Sequence, residues 1–430
     1  MFTLRDFNKS RSEFRIMNSL TSVKYYIFLA YLAVLSMLGF IATDMYLPAF
    51  KAIEDTMATS PSQVAMSLTF FLAGLALGQL LYGPLVERFG KRNSLILGLV
   101  LFAAASFSIS VSDSILVFNI SRFIQALGAC SAGVIWQAIV IEKYDAAKAQ
   151  GVFSNIMPLV ALSPALAPIL GAFILQSLGW QSIFITLTGM AAVMILLTVW
   201  FVPAETKAIS HEKKEISYLT ILKNTKYLGN VVIFGACSGA FFSYLTLWPV
   251  VMEQHGFDAT AIGLSFIPQT ITFILGGYAS KTLIRKIGSE KTLKLLLSVF
   301  GTCAMSIAVV TILLQGLSIY PLLAIFSVLA ACSGGIYPIV VNGALQEFSD
   351  NAAKAAGLQN FLQISLSFGA SSLVAMWATS GEVAIGWGIM ICSFIVFIGF
   401  KLRNYKNWNE VSEEIVMPDP ARIAINQDEK

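Results

Sequence analysis

Two charged residues lie where charge is costly. Arg122 sits in the apolar run Arg122-Phe-Ile-Gln125-Ala-Leu-Gly128, and Asp44 in Ala42-Thr-Asp-Met-Tyr-Leu-Pro48. An arginine in an apolar solvent loses its hydration and therefore predicts a partner. Asp44 is the acid expected opposite it. At a rise of ~1.5 Å per residue, both lie roughly 6–11 Å inside the same boundary of their helices. A fixed ion pair is the plainer reading. The sharper one is a proton switch, in which a carboxylate that gains and loses an arginine partner binds and releases a proton.

Amides and aromatics recur in other apolar runs. From Arg122, residues Gln125, Ala129, Trp136 and Gln137 fall within about 60° of one face at about 3.6 residues per turn. Asn155, Gln269, Asn342, Gln359, Asn360 and Gln363 add amides, and Tyr46, Tyr244, Trp248 and Tyr337 add rings. Such a set suits a neutral, polar, planar solute. Each amide serves equally well as a helix–helix hydrogen bond, and Trp248 equally well as an anchor at a membrane interface.

A charged loop reads Gly83-Pro-Leu-Val-Glu-Arg-Phe-Gly-Lys-Arg92. A tight Gly83-Pro84 turn is expected to enter it, and Gly90 to let the chain reverse. Glu87 is expected to pair with a basic residue or cap a neighbouring helix. With Arg88, Lys91 and Arg92 it has the makings of a latch that breaks when helices part; a generic basic loop is the plainer alternative. The stretch Lys281 to Gly288 keeps basic residues and a closing glycine but lacks an acid before Arg285. Pro158, Pro164 and Pro168, followed by Gly171, break the backbone ladder of one segment at several points. Gly74 and Gly78 form a small-xxx-small pair for close helix packing.

The elements that must hold these residues follow from composition. The chain has 430 residues, 57% hydrophobic and 12% charged, with mean hydropathy +0.75. A soluble fold could not hide so much apolar surface, so a bilayer must supply the apolar solvent. Runs near 25–48, 60–83, 94–112, 115–140, 151–178, 181–202, 227–252, 259–280, 293–315, 319–343, 354–379 and 383–401 each suffice to cross one. The loops on one side hold 26 of the 28 basic residues, counting Lys51 and Arg122 as the exceptions. That asymmetry predicts both termini in the cytoplasm. The expected layout is an N-terminal segment 1–24, a six-helix bundle 25–202, a linker 203–226, a second bundle 227–403 and a tail 404–430. A site between two such halves belongs at the bilayer midplane.

No Walker sequence, metal-ligand cluster, nucleophile elbow or cofactor fingerprint occurs, so an enzyme is not expected. The scattered cysteines give no disulfide framework.

The loop from Gly83 to Arg92 resembles the signature of the major facilitator superfamily, with Glu87 where aspartate is usual. Arg122 to Gly128 resembles the family's fourth-span signature, with Ala126 replacing a glycine. Pro158 to Gly171 is similar to the antiporter segment of its Bcr/CflA branch. The resemblance implies an all-α membrane fold of twelve helices in two pseudo-symmetric bundles, in a bacterial inner membrane. It implies alternating access driven by protons, with a monomer as the unit and no nucleic-acid partner. Within the branch, Gly39–Phe50, Val134–Ala138, Ile156–Pro168, Gly263–Gln269 and Ile336–Val341 look most like the purine nucleoside carriers, which implies adenosine, inosine or guanosine as substrate. Proton-driven multidrug efflux is the alternative. Ser36 stands where some related drug exporters have an acid, which disfavours lipophilic cations.

Overall fold

A chain surrounded by hydrocarbon must satisfy its backbone hydrogen bonds internally, and helices do so within one segment. The computed structural model describes residues 4–160, 162–204, 216–257, 259–313, 318–377 and 380–405. Among them every regular element is helical. The tail beyond 405 and most of the expected linker lie outside the described residues.

The first half contains α1 (Leu4–Asp44), a 3-10 turn Leu47–Ala49, α2 (Phe50–Thr56), α3 (Pro61–Ser110), α4 (Ile115–Lys143), α5 (Ala146–Val160), α6 (Ser163–Leu178) and α7 (Gln181–Phe201). A short helix, α8 (Tyr218–Lys223), follows. The second half contains α9 (Thr225–Gln254), α10 (Ala259–Ser265), α11 (Ile267–Ile287), α12 (Ser289–Leu313), α13 (Tyr320–Gln346), a 3-10 turn Ser349–Asn351, α14 (Ala352–Met376) and α15 (Glu382–Arg403).

Among the described residues, eight helical stretches are long and apolar enough to cross a membrane. One of them lies in α3, which doubles back. Gly90 takes φ 77° and ψ 164° inside it, a conformation open to glycine, and the two limbs on either side run along α4. The shorter helices complete the set, α5 joining α6 and α10 joining α11 at breaks. Read in this way, each half makes six crossings. The chain is a multi-pass, all-helical membrane protein of two bundles.

Three expectations change. Gly83 and Pro84 make no turn, because α3 continues through them and reverses only at Gly90. The segment expected to span 151–178 is two helices, with Pro158 inside α5, Pro164 in the first turn of α6 and Pro168 further along it. The side chain of Pro164 lies outside the described residues. Finally, α1 begins at Leu4, some way before its apolar part.

The halves join through α3 and α4 against α14, and α5 against α11 and α13. These contacts sit at the end of the molecule that carries Gly90, here called the basic end. There the backbones touch: a Cβ added to Gly357 on α14 would lie 2.2 Å from the Gln79 carbonyl of α3. On the other side of the seam, a Cβ on Gly277 would lie 2.6 Å from the Pro158 ring. The inter-bundle hydrogen bonds described below also fall at the basic end.

At the opposite end, Gly171 of α6 packs beneath the chain as it leaves α1. A Cβ there would stand 1.7 Å from the Met45 carbonyl. Gly171→Ala should therefore force the Asp44–Tyr46 turn outward and destabilise the first bundle by about 1–3 kcal/mol, as overpacking does. A lowered melting temperature in detergent is the expected result. An unchanged one would contradict the packing.

Candidate functional site

Arg122 is fully buried on α4, at 0% exposure. The last carbonyls of α1 have no helical donor, and the guanidinium supplies one. Its Nη1 donates to the Ala42 carbonyl at 3.1 Å and to Gln125 Oε1 at 2.5 Å. Gln125 Nε2 in turn donates to Ser106 Oγ at 2.7 Å. Two rings enclose the group, with the guanidinium carbon 4.0 Å from the Tyr46 ring centre and 4.1 Å from that of Phe71. Desolvated cation–π contacts of this kind contribute about 2 kcal/mol. The Tyr46 hydroxyl is fixed by Ser67 at 2.9 Å.

Arg122 Nε and Nη2 have no hydrogen-bond partner. Asp44 lies two residues beyond Ala42 and is half-buried. The matched depth expected for the two residues therefore holds, but they form no ion pair in this conformation. The orphan carbonyl of Ala42 takes the arm that the carboxylate was expected to hold.

A second group lies at the seam. Gln137 Nε2 on α4 donates to Asn360 Oδ1 on α14 at 3.2 Å, and Gln359 Nε2 donates to Gln137 Oε1 at 3.4 Å. Asn360 Nδ2 donates to Gln79 Oε1 at 3.2 Å and to the Gly133 carbonyl at 3.3 Å. Gln359 is 1% exposed and its Oε1 is unpartnered. Gln79 was not anticipated from sequence, though a lone amide beside Gly78 in an apolar run was a usable signal. Asn342 Nδ2 reaches the Ala146 carbonyl at 3.1 Å, and Lys281 Nζ donates to Asn155 Oδ1 at 2.5 Å.

The charged loop closes the same seam. Lys354 Nζ of α14 lies 2.9 Å from Glu87 Oε2, both side chains being largely buried. Lys91 pairs with Glu142 of α4. Arg88 is exposed and lies over the Phe89 ring, and Arg92 is half-buried.

The rings are elsewhere. Tyr244 stacks on Trp248 at 4.8 Å and on Phe326 at 3.5 Å, inside the second bundle. Gln269 Nε2 donates to the Tyr244 hydroxyl at 2.9 Å, and Trp248 Nε1 to Ser265 Oγ at 2.7 Å. Tyr244 and Trp248 have no exposed surface, so Trp248 is not an interfacial anchor. Ser265 satisfies its indole N–H, which lets the ring bury completely. Trp136 packs edge-on to Phe153 at 5.3 Å. Tyr337 and Gln363, like Asn155 and Asn360, stay half-buried, Tyr337 edge-on to Phe234 and Gln363 donating to Ser238 Oγ at 2.7 Å. The single face expected from Arg122 to Gln137 is thus divided between the Arg122 cage and the seam. Among the described residues no His, Cys, Asp and Glu cluster suits a metal ion.

Residues 32–372 match the family model of the Major Facilitator Superfamily. The chain is 27% identical over 368 residues to the bicyclomycin resistance protein homolog of Haemophilus influenzae, covering 83% of this chain and 89% of that protein. It is 32% identical over 219 residues to the multidrug resistance protein MdtL of Klebsiella pneumoniae, covering 50% of this chain and 56% of that protein. In fold it superposes on FucP, the E. coli fucose:proton symporter, in the outward conformation, with a TM-score of 0.71 at 15% identity over 89% of this chain and 100% of that one.

Removing one member of a buried ion pair leaves the other unpaired, at a cost of about 3–5 kcal/mol. Glu87→Gln and Lys354→Gln should each lower unfolding stability in detergent by that order, and the double variant by less than their sum. Additive losses would mean that the two residues are not coupled.

Proposed function

The chain belongs to the major facilitator superfamily, and from that premise we propose that it exports small, neutral, hydrogen-bonding drugs in exchange for protons, by alternating access. The observation that carries this reading is the Arg122 cage. A buried cation with two idle donors is held by a carbonyl two residues from a half-buried carboxylate with which it forms no ion pair. Such an arrangement is poised between two pairings. The drug part rests on the relatives, which are named for resistance to bicyclomycin and to multiple drugs.

The excess of basic residues at the closed end supports placing that end, with both termini, in the cytoplasm. The conformation is then outward-facing. Asp44, near the outer end of α1, takes a proton from outside while Arg122 is held by Ala42, Gln125 and the two rings. Closure of the outer end and parting of the seam bring the idle donors to the carboxylate. The proton leaves inward and the drug enters from the cytoplasm. Return with the drug reverses the pairing. Drug binding, which favours the form with Asp44 paired to Arg122, thus expels the proton, and the two occupy the protein in turn, which is what exchange requires. The seam amides break from one another as the cavity opens inward, and their freed donors and acceptors meet the polar edge of the solute.

A second reading keeps purine nucleosides as the solute. The four amides Gln79, Gln137, Gln359 and Asn360 support it, since paired amide groups match a purine edge. None of the relatives described above is named for nucleosides.

The test is drug susceptibility in a bacterial strain stripped of its own exporters. Expression of the chain should raise the inhibitory concentration of chloramphenicol or bicyclomycin several-fold. Asp44→Asn at equal abundance should remove the effect. No protection by the wild-type chain, with gradient-driven adenosine uptake into proteoliposomes, would replace the drug reading with the nucleoside one.

A further inference from the structure

Helix α3 carries Pro84 in its interior. Proline has no N–H, so the carbonyl four residues earlier, that of Leu80, has no donor within the helix. In a membrane crossing such a carbonyl calls for a replacement. The replacement comes from outside the bundle. Tyr218 Oη donates to the Leu80 carbonyl at 2.5 Å.

Tyr218 is the first residue of α8, in the linker between the halves, and Asn224 alone separates α8 from α9. Ile221, one turn on and fully buried, anchors the same face of the helix. Three further contacts converge on the same spot. A Cβ on Gly83 would lie 2.8 Å from Lys354 Cα and 3.0 Å from Tyr218 Oη. Lys354 Nζ stands 5.4 Å from the Tyr218 ring centre while it pairs with Glu87. Linker, α3 and α14 therefore meet at one point, beside the ion pair that closes the seam.

We infer that α8 is a working part of the gate and that Tyr218 is its positioning residue. By completing the hydrogen bonding that Pro84 leaves open, the hydroxyl holds this limb of α3 against α14 and favours the closed basic end. Helix α8 is then a strut that engages in one state of the cycle and releases in the other. This rests on the alternating-access reading but not on the identity of the solute.

The test uses the full chain with spin labels at Asn93→Cys and Lys286→Cys, exposed positions on opposite bundles at the basic end. The native cysteines are all buried. Pulsed dipolar spectroscopy reads the ratio of short to long distances. Tyr218→Phe keeps the ring and removes only the hydroxyl, so the closed-to-open ratio should fall about three- to tenfold, the effect of one net hydrogen bond. Pro84→Ala restores a backbone donor to the Leu80 carbonyl. In the Pro84→Ala background, Tyr218→Phe should therefore change the ratio little. An equal fall in both backgrounds, or no fall in either, would overturn the inference. A single distance in every variant and condition would instead count against alternating access itself.

Discussion

A guanidinium buried in an apolar crossing persists only if its surroundings are built around it. Arg122 has five N–H donors and nothing to share them with except what α1, α4 and nearby rings supply. Much of the first bundle follows from that. Helix α1 ends where its Ala42 carbonyl can be capped. Gln125 is held by Ser106 so that its oxygen faces the cation. Tyr46 is held by Ser67 so that its ring covers one face, with Phe71 near the other. Gly171 has no side chain, which lets the turn after Asp44 pass at contact distance. The cage is nonetheless incomplete, and incompleteness of this kind is a means of storing a second arrangement rather than a defect.

The same rule shapes the seam between the bundles. Its two sides are related in pattern: α3 meets α14, and α11 meets α5. Each has a glycine whose backbone touches the partner helix, and each has a lysine reaching across. They differ in what the lysine finds. Lys354 finds the carboxylate of Glu87, whereas Lys281 finds the neutral amide of Asn155. They differ too in which side gives the lysine: Lys354 comes from α14, whereas Lys281 comes from α11, the helix whose loop lacks the acid. One side of the gate is an ion pair and the other a charge–amide contact.

Much of the fold was legible because the bilayer leaves few options. Apolar runs of sufficient length had to be helices, the basic loops fixed a common end, and Gly90 marked the reversal. The prolines after Asn155 marked an interrupted backbone ladder there, though 151–178 was expected as one span and forms two helices. What was illegible turned on competition between partners. Nothing in the spacing of Arg122 and Asp44 reveals that an orphan carbonyl would take the guanidinium first. Gly83-Pro84 looked like a turn because the donor that lets the helix continue lies far along the chain, at Tyr218. Trp248 looked like an anchor because Ser265 is not its neighbour in sequence. The substrate was least legible, since amides that could read a purine edge also satisfy one another across the seam.

The central claim is that drug binding expels the proton held by one carboxylate, Asp44. It is tested most directly by adding chloramphenicol to the purified protein in weakly buffered detergent and following an indicator dye. The wild-type protein should release protons as it binds the drug, and Asp44→Asn should bind it with no release. Equal release from both, or drug binding by the wild type without any release, would contradict the account.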